Sequence, residues 1–143
     1  MTTWVVDASV AVKWALPGQN GETHQEQALA LLHEIQQGNC QVLQPPHWLA
    51  EVAAVLTRLA PNQSLGLLRT FLAMELPVTT EWDVYEQACR LAVKLNHHLF
   101  DTLYHAVALQ SSDTVFITAD NGYFRKAARL GQIIALQNFS LPG

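Results

Sequence analysis

This sequence predicts an α/β fold: a three-layer α/β/α sandwich around a central, mainly parallel sheet. Three observations support it. Short apolar runs, partly β-branched, recur at Trp4-Val5-Val6, Gln41 to Leu43, Val115-Phe116-Ile117 and Ile133-Ile134. Between them lie longer stretches whose apolar residues repeat at helical spacing. Runs without polar alternation are what strands covered on both faces require, and helices that alternate with strands supply that cover. The chain of 143 residues suits one domain, 1–143, without linker, internal repeat or low-complexity tract.

The first run ends in Asp7, and Ala8 to Leu16 then turns helical until Pro17-Gly18 stops it. Ala28, Leu31, Leu32 and Ile35 mark the next helix, ended by Gly38-Asn39. After the strand at Gln41 to Leu43 comes Pro45-Pro46, where Pro46 is placed to open a helix striped by Leu49, Val52, Ala53, Leu56 and Leu59. Ser64 is placed to cap a helix through Leu65, Leu68, Phe71 and Leu72, and Pro77-Val78-Thr79-Thr80 reads as a strand. Val84, Ala88, Leu91, Ala92 and Leu95 form another amphipathic helix. His97-His98 falls in a loop, followed by helices from about Phe100 to Leu109 and Asn121 to Leu130, with Gly131 fitting the position after the second.

Half the residues are hydrophobic and 14% are charged, which argues for a packed core and against disorder. Eight basic residues face twelve acidic ones, so the net charge of -4 excludes a global positive field as the means of holding a nucleic acid. Any such binding must be local. Arg125, Lys126 and Arg129 near the C-terminus, and Arg90 and Lys94 on one helical face, are the groups available, and a solvated helix surface accounts for them equally well. Cys40 and Cys89 are too few for a disulfide framework and read as inert, largely buried thiols in a reducing compartment. The first residues lack a basic leader and carry Asp7 and Lys13 within their apolar stretch, so a cytoplasmic protein without a membrane span is expected.

Four acids stand out. Asp7 and Asp120 follow apolar strands, at the edge where parallel sheets bind ligands. Asp101 lies near the start of a helix, sharing a face with His105, and Glu51 projects from the helix after Pro45-Pro46. Taken singly, three of them read as helix N-caps and Glu51 as a solvated residue. Jointly, with Ser9 two residues after Asp7 and Thr118 two before Asp120, they read as a site for a divalent cation, because carboxylates held together repel unless a cation neutralises them. Without the ion, at least one carboxyl pKa is expected to be raised by that repulsion. The histidines His47, His97, His98 and His105 lack the spacing of a zinc site, and Trp4, Trp14, Trp48 and Trp82 read as core or interface residues rather than stacking platforms.

Val5-Val6-Asp7-Ala8-Ser9, Glu51-Val52-Ala53-Ala54-Val55-Leu56, Phe100-Asp101-Thr102-Leu103-Tyr104-His105-Ala106 and Phe116-Ile117-Thr118-Ala119-Asp120 together resemble a PIN domain, and most closely the VapC-type toxins of toxin–antitoxin pairs. The resemblance covers nearly the whole chain. It implies that Asp7, Glu51, Asp101 and Asp120 are the catalytic and metal-holding acids for Mg²⁺ or Mn²⁺, with Ser9 and Thr118 in support. It implies an endoribonuclease that hydrolyses RNA phosphodiester bonds, a cognate antitoxin and a homodimer. Hard carboxylate oxygens suit those ions, which lower the pKa of bound water and stabilise charge in phosphoryl transfer. The chain departs from the pattern at Asn121-Gly122, where a charged residue often follows the fourth acid, and in its acidic net charge. A catalytically silent RNA- or protein-binding module is the alternative. Phosphoaspartate phosphatases need an acid two residues after the nucleophile, where this chain has Ser9, and a receiver domain needs clustered acids after its first strand.

Overall fold

The computed structural model describes residues 1–16 and 24–140. The expected stop at Pro17-Gly18 lies outside these residues. In chain order the elements are β1 (Thr3–Val6), α1 (Ala8–Ala15), α2 (Gln25–Gln36), β2 (Gln41–Val42), α3 (Trp48–Leu59), α4 (Ser64–Ala73), α5 (Trp82–Leu95), α6 (Leu99–Ala108), β3 (Thr114–Thr118), α7 (Asn121–Ala127) and β4 (Ile133–Ala135). The four strands form one sheet in the order β2-β1-β3-β4, and every pairing in it is parallel.

The central strands are apolar because both faces are covered. Val5, Val6 and Ile117 have no exposed surface, and Phe116 has almost none. Parallel crossovers are right-handed, a rule that with this strand order puts α1 and α2, which connect β1 to β2, on one face and α6 and α7, which flank β3, on the other. α6 packs along both β1 and β3, with α5 against its outer side. The amphipathic pattern read for α5 holds, since Val84, Ala88, Leu91 and Leu95 are its buried residues.

Several boundaries differ from expectation, each for a local reason. Pro77 to Thr80 is not a strand: only Val78 forms a bridge, to Gln44. Pro46 does not open α3; it sits in a turn closed by Trp48 N–H donating to the Pro45 carbonyl, and the helix begins at Trp48. Ser64 is the first helical residue of α4 rather than its cap, and its hydroxyl donates back to the Pro61 carbonyl. The expected helix 121–130 is α-helical to Ala127 and tightens to a 3-10 turn, Ala128–Leu130, before Gly131 takes a positive φ of 78°. Cys89 is exposed, not buried, and Trp82 is likewise exposed, whereas Trp48 is buried and Trp4 and Trp14 pack on Phe139 and Phe71.

Gln44 had no role in the sequence reading. The β1·β2 ladder pairs Trp4 with Val42, so two residues further along the same register Val6 falls opposite Gln44. At that point the Gln44 backbone has turned away, accepting from Thr79 N–H and donating to the Pro77 carbonyl. Its side-chain amide takes the vacated place: Val6 N–H donates to Oε1 at 2.8 Å, and Nε2 donates to the Val6 carbonyl at 2.8 Å. Gln44 is fully buried, so nothing else would satisfy those two groups of the residue before Asp7. Gln44→Leu keeps the volume and removes both bonds. It should cost about 2–4 kcal/mol, read in urea unfolding as a lower midpoint at unchanged slope. A loss below about 1 kcal/mol would mean that water or a shifted strand replaces the amide.

Candidate metal centre

β1 and β3 are neighbours, and the chain leaves them in opposite directions, β1 toward β2 and β3 toward β4. Their carboxyl ends therefore open a crevice that no connection crosses, the usual place for a ligand in such sheets. Asp7 occupies the end of β1. Its N–H donates to the Ile117 carbonyl at 3.0 Å, continuing the pairing of Val6 with Ile117 and setting Asp7 opposite Thr118. The Thr118 hydroxyl donates to Asp7 Oδ2 at 2.6 Å, and the Ser9 hydroxyl donates to the same oxygen at 2.9 Å. Each hydroxyl also accepts a backbone N–H, from Asp120 and Ala119 respectively. The two small hydroxyls thus clamp Asp7 and tie it to the turn that carries Asp120.

Asp7 is the most buried of the four acids. Its carboxyl is pushed up from the usual 3.8 to about 6, chiefly by loss of solvent; the Thr118 and Ser9 hydrogen bonds oppose this, and the charges of Asp101 and Glu51 add to it. The raised carboxyl expected from repulsion is therefore present, but burial is its larger cause.

Glu51, Asp101 and Asp120 line the more open side. Glu51 rises from the first turn of α3 and accepts from the Tyr104 hydroxyl at 2.7 Å; His47 Nε2 lies 3.4 Å from the same oxygen. Burial pushes the Glu51 carboxyl up, but hydrogen bonds from His47 and Tyr104 and the nearby His47 and His98 outweigh it and hold it below its usual value. Burial, together with the Asp7 and Glu51 charges, pushes the Tyr104 hydroxyl far up, so it stays a donor. Asp101 stands in the first turn of α6, whose cap is His98 rather than Asp101. Asp120 is the cap of α7 and accepts from Tyr123 N–H at 3.1 Å. A Cβ on residue 122 would stand 3.2 Å from Asp120 Oδ1, so Gly122, in the stretch that departs from the resembled pattern, leaves that oxygen room.

Asp101, Asp120 and His97 can each turn a ligand atom to within 4.8 Å of the others. His97 is the residue that sequence reasoning undervalued. His47–Glu51 and His97–Asp101 share one spacing, a histidine four residues ahead of an acid, and both pairs meet in space, the second at 2.7 Å. That repeated spacing was the available signal. His105, by contrast, does not face Asp101: it is fully buried, accepts from the Tyr123 hydroxyl and donates to the Gly131 carbonyl, and burial lowers its basicity. Hard oxygen donors in mutual electrostatic reach, one of them a carboxyl that burial raises to about 6, fit a divalent cation.

The sign of the Asp7 shift fixes a pH dependence. A carboxyl whose folded pKa lies above its unfolded one contributes stability that is full below pH 3.8 and is lost as pH rises through about 6. Asp7→Asn cannot ionise, so in EDTA it should exceed the wild-type protein by about 3 kcal/mol at pH 7 and lose that advantage toward pH 4. Urea unfolding of both proteins across this range reads the difference. A variant less stable at every pH would assign Asp7 a structural capping role instead.

No curated protein matches the chain. Among solved structures it is similar to the Mycobacterium tuberculosis toxin VapC20, described as cleaving the sarcin–ricin loop, with a TM-score of 0.62 and 19% identity over 85% of this chain and 94% of that one. At that identity the likeness concerns the fold. The PIN domain family matches residues 4–130, a span that opens inside β1, takes in all four acids with both hydroxyls of the Asp7 clamp, and closes with the 3-10 turn, and the chain therefore belongs to that family.

Proposed function

We propose that this protein is a metal-dependent endoribonuclease, the toxin of a toxin–antitoxin pair. The observation that carries the proposal is the convergence of Asp101 and Asp120 beside a buried, hydroxyl-clamped Asp7 in the crevice between β1 and β3. Nucleases are the activity of the PIN domain family, and the VapC20 fold agrees with it.

Asp7, Asp101 and Asp120 would hold Mg²⁺ or Mn²⁺, with Glu51 at the rim. When bound, the ion supplies an acidified water and charge stabilisation for phosphodiester hydrolysis. Thr118 and Ser9 keep Asp7 Oδ2 in one place, so the carboxylate need not reorganise when a cation or phosphate arrives. Tyr104 does the same for Glu51. Lys126, whose Nζ lies 3.2 Å from His97 Nδ1, brings positive charge to the rim of an acidic protein, where an RNA phosphate would approach. Binding is then local and should weaken steeply with salt. RNA, a cognate antitoxin and a second copy of the chain are the partners this reading entails.

The decisive experiment incubates the purified protein with a mixed pool of structured and single-stranded RNAs in Mg²⁺, Mn²⁺ or EDTA, beside Asp101→Asn. Cleavage should need the metal and fall by more than about 100-fold in the variant, since loss of even a supporting partner costs 10- to 100-fold. Mn²⁺ at about one hundred times its dissociation constant should raise the melting temperature by roughly 10 °C. A protein stabilised by metal that cuts nothing would favour the silent binding module, the reading that the net charge of -4 favours.

A further inference from the structure

The geometry points to His97 as a positioning residue for Asp101, held in the one tautomer that can do so by Lys126. The inference rests on the metal-centre reading above and assigns a role to two residues outside the four acids.

An ammonium group has no lone pair. The 3.2 Å approach of Lys126 Nζ to His97 Nδ1 therefore makes that nitrogen the acceptor, and the ring proton of the neutral imidazole must sit on Nε2. Nε2 lies 2.7 Å from Asp101 Oδ2, so it donates to the carboxylate. One assignment of protons satisfies both contacts. It leaves Asp101 Oδ1 without a protein partner among the described residues, which is the condition of an oxygen kept for a cation.

The imidazole is itself fixed from two elements, α5 and α7. Asn96, at the end of α5, adopts a positive φ of 48°, which turns the chain so that His97 N–H donates to the Ala92 carbonyl. Lys126 of α7 donates to the Asn96 carbonyl at 3.2 Å as well as to the ring. The ring meets Tyr123 edge to face at 4.8 Å, and Tyr123 N–H is the donor that holds Asp120. One imidazole thus sets the relative position of the two acids that α6 and α7 contribute. A side chain that merely filled space would need neither the lysine nor the short bond to Oδ2.

The role is that of a supporting partner oriented toward a carboxylate ligand, whose loss costs 10- to 100-fold in metal affinity. The test measures Mn²⁺ binding to the full chain by calorimetry in wild type, His97→Ala, His97→Gln, Lys126→Met and Asp101→Asn, with melting in EDTA to verify each fold. His97→Ala should bind Mn²⁺ about 10- to 100-fold more weakly. His97→Gln, whose amide places an N–H near the Nε2 position, should recover to within a few-fold of wild type. In ¹⁵N spectra of the metal-free protein, His97 Nε2 should be the protonated nitrogen, and Lys126→Met should mix the tautomers. For RNA cleavage, His97→Ala should lower kcat and leave KM unchanged.

Unchanged Mn²⁺ affinity in His97→Ala, with Asp101→Asn impaired, would overturn the proposal and leave the metal centre standing. Equal loss in His97→Ala and His97→Gln would overturn it in favour of direct ligation by the imidazole. A proton found on Nδ1 would overturn it as well. Unchanged affinity in Asp101→Asn would remove the metal-centre reading itself.

Discussion

The site depends on one main-chain register, that of β1 against β3. Pairing Val6 with Ile117 brings Asp7 opposite Thr118, and a shift by one residue would point the threonine hydroxyl at the other face of the sheet. Everything at the crevice follows from that alignment. The hydroxyl reaches Asp7, its oxygen accepts Asp120 N–H, and the turn that follows starts α7 with Asp120 as its cap. The carboxylates are separated by up to 113 residues in sequence, yet two strands and their ends decide how near they come.

Such a cluster is costly to the free protein. Burial raises the Asp7 carboxyl to about 6, and the charges of the neighbouring Asp101 and Glu51 add to the cost rather than relieve it. The surrounding structure offsets this with many short polar contacts around the crevice: two hydroxyls on Asp7, a phenol on Glu51, an imidazole on Asp101 and a backbone N–H on Asp120. Donors of this kind stabilise charge without cancelling it. In the proposed metal centre, these contacts would hold the acids in fixed positions for a cation.

Much of this was legible in the sequence. Buried parallel strands announce themselves as unbroken apolar runs, and Val5-Val6 and Phe116-Ile117 did so, which placed Asp7 and Asp120 at strand ends. The amphipathic stripe of α5 was equally plain. What failed to show were features decided by a distant partner. Pro77 to Thr80 has the composition of a strand, but no neighbour is available to it beyond Gln44. His97 and His105 look alike on paper, and only packing separates a ring anchored beside Asp101 from one buried against Tyr123 and Gly131. Gln44, a polar residue before two prolines, carries no local sign that its amide will stand in for a strand.

That stand-in also bears on how the molecule keeps to itself. A sheet is most open to unwanted pairing along its edges, where unpaired N–H and C=O groups invite a foreign strand. Here the outer strands are the shortest, β2 with two residues and β4 with three. The chain leaves the β2 edge at the residue where a longer strand would have continued, and Gln44 commits its backbone to Pro77 and Thr79 while its amide completes β1 from within. The inner strand gains a full complement of hydrogen bonds without lengthening the edge. An aggregating neighbour therefore finds little template to extend at the β2 edge, where one side chain does what surface charge, in short supply in this chain, would otherwise do.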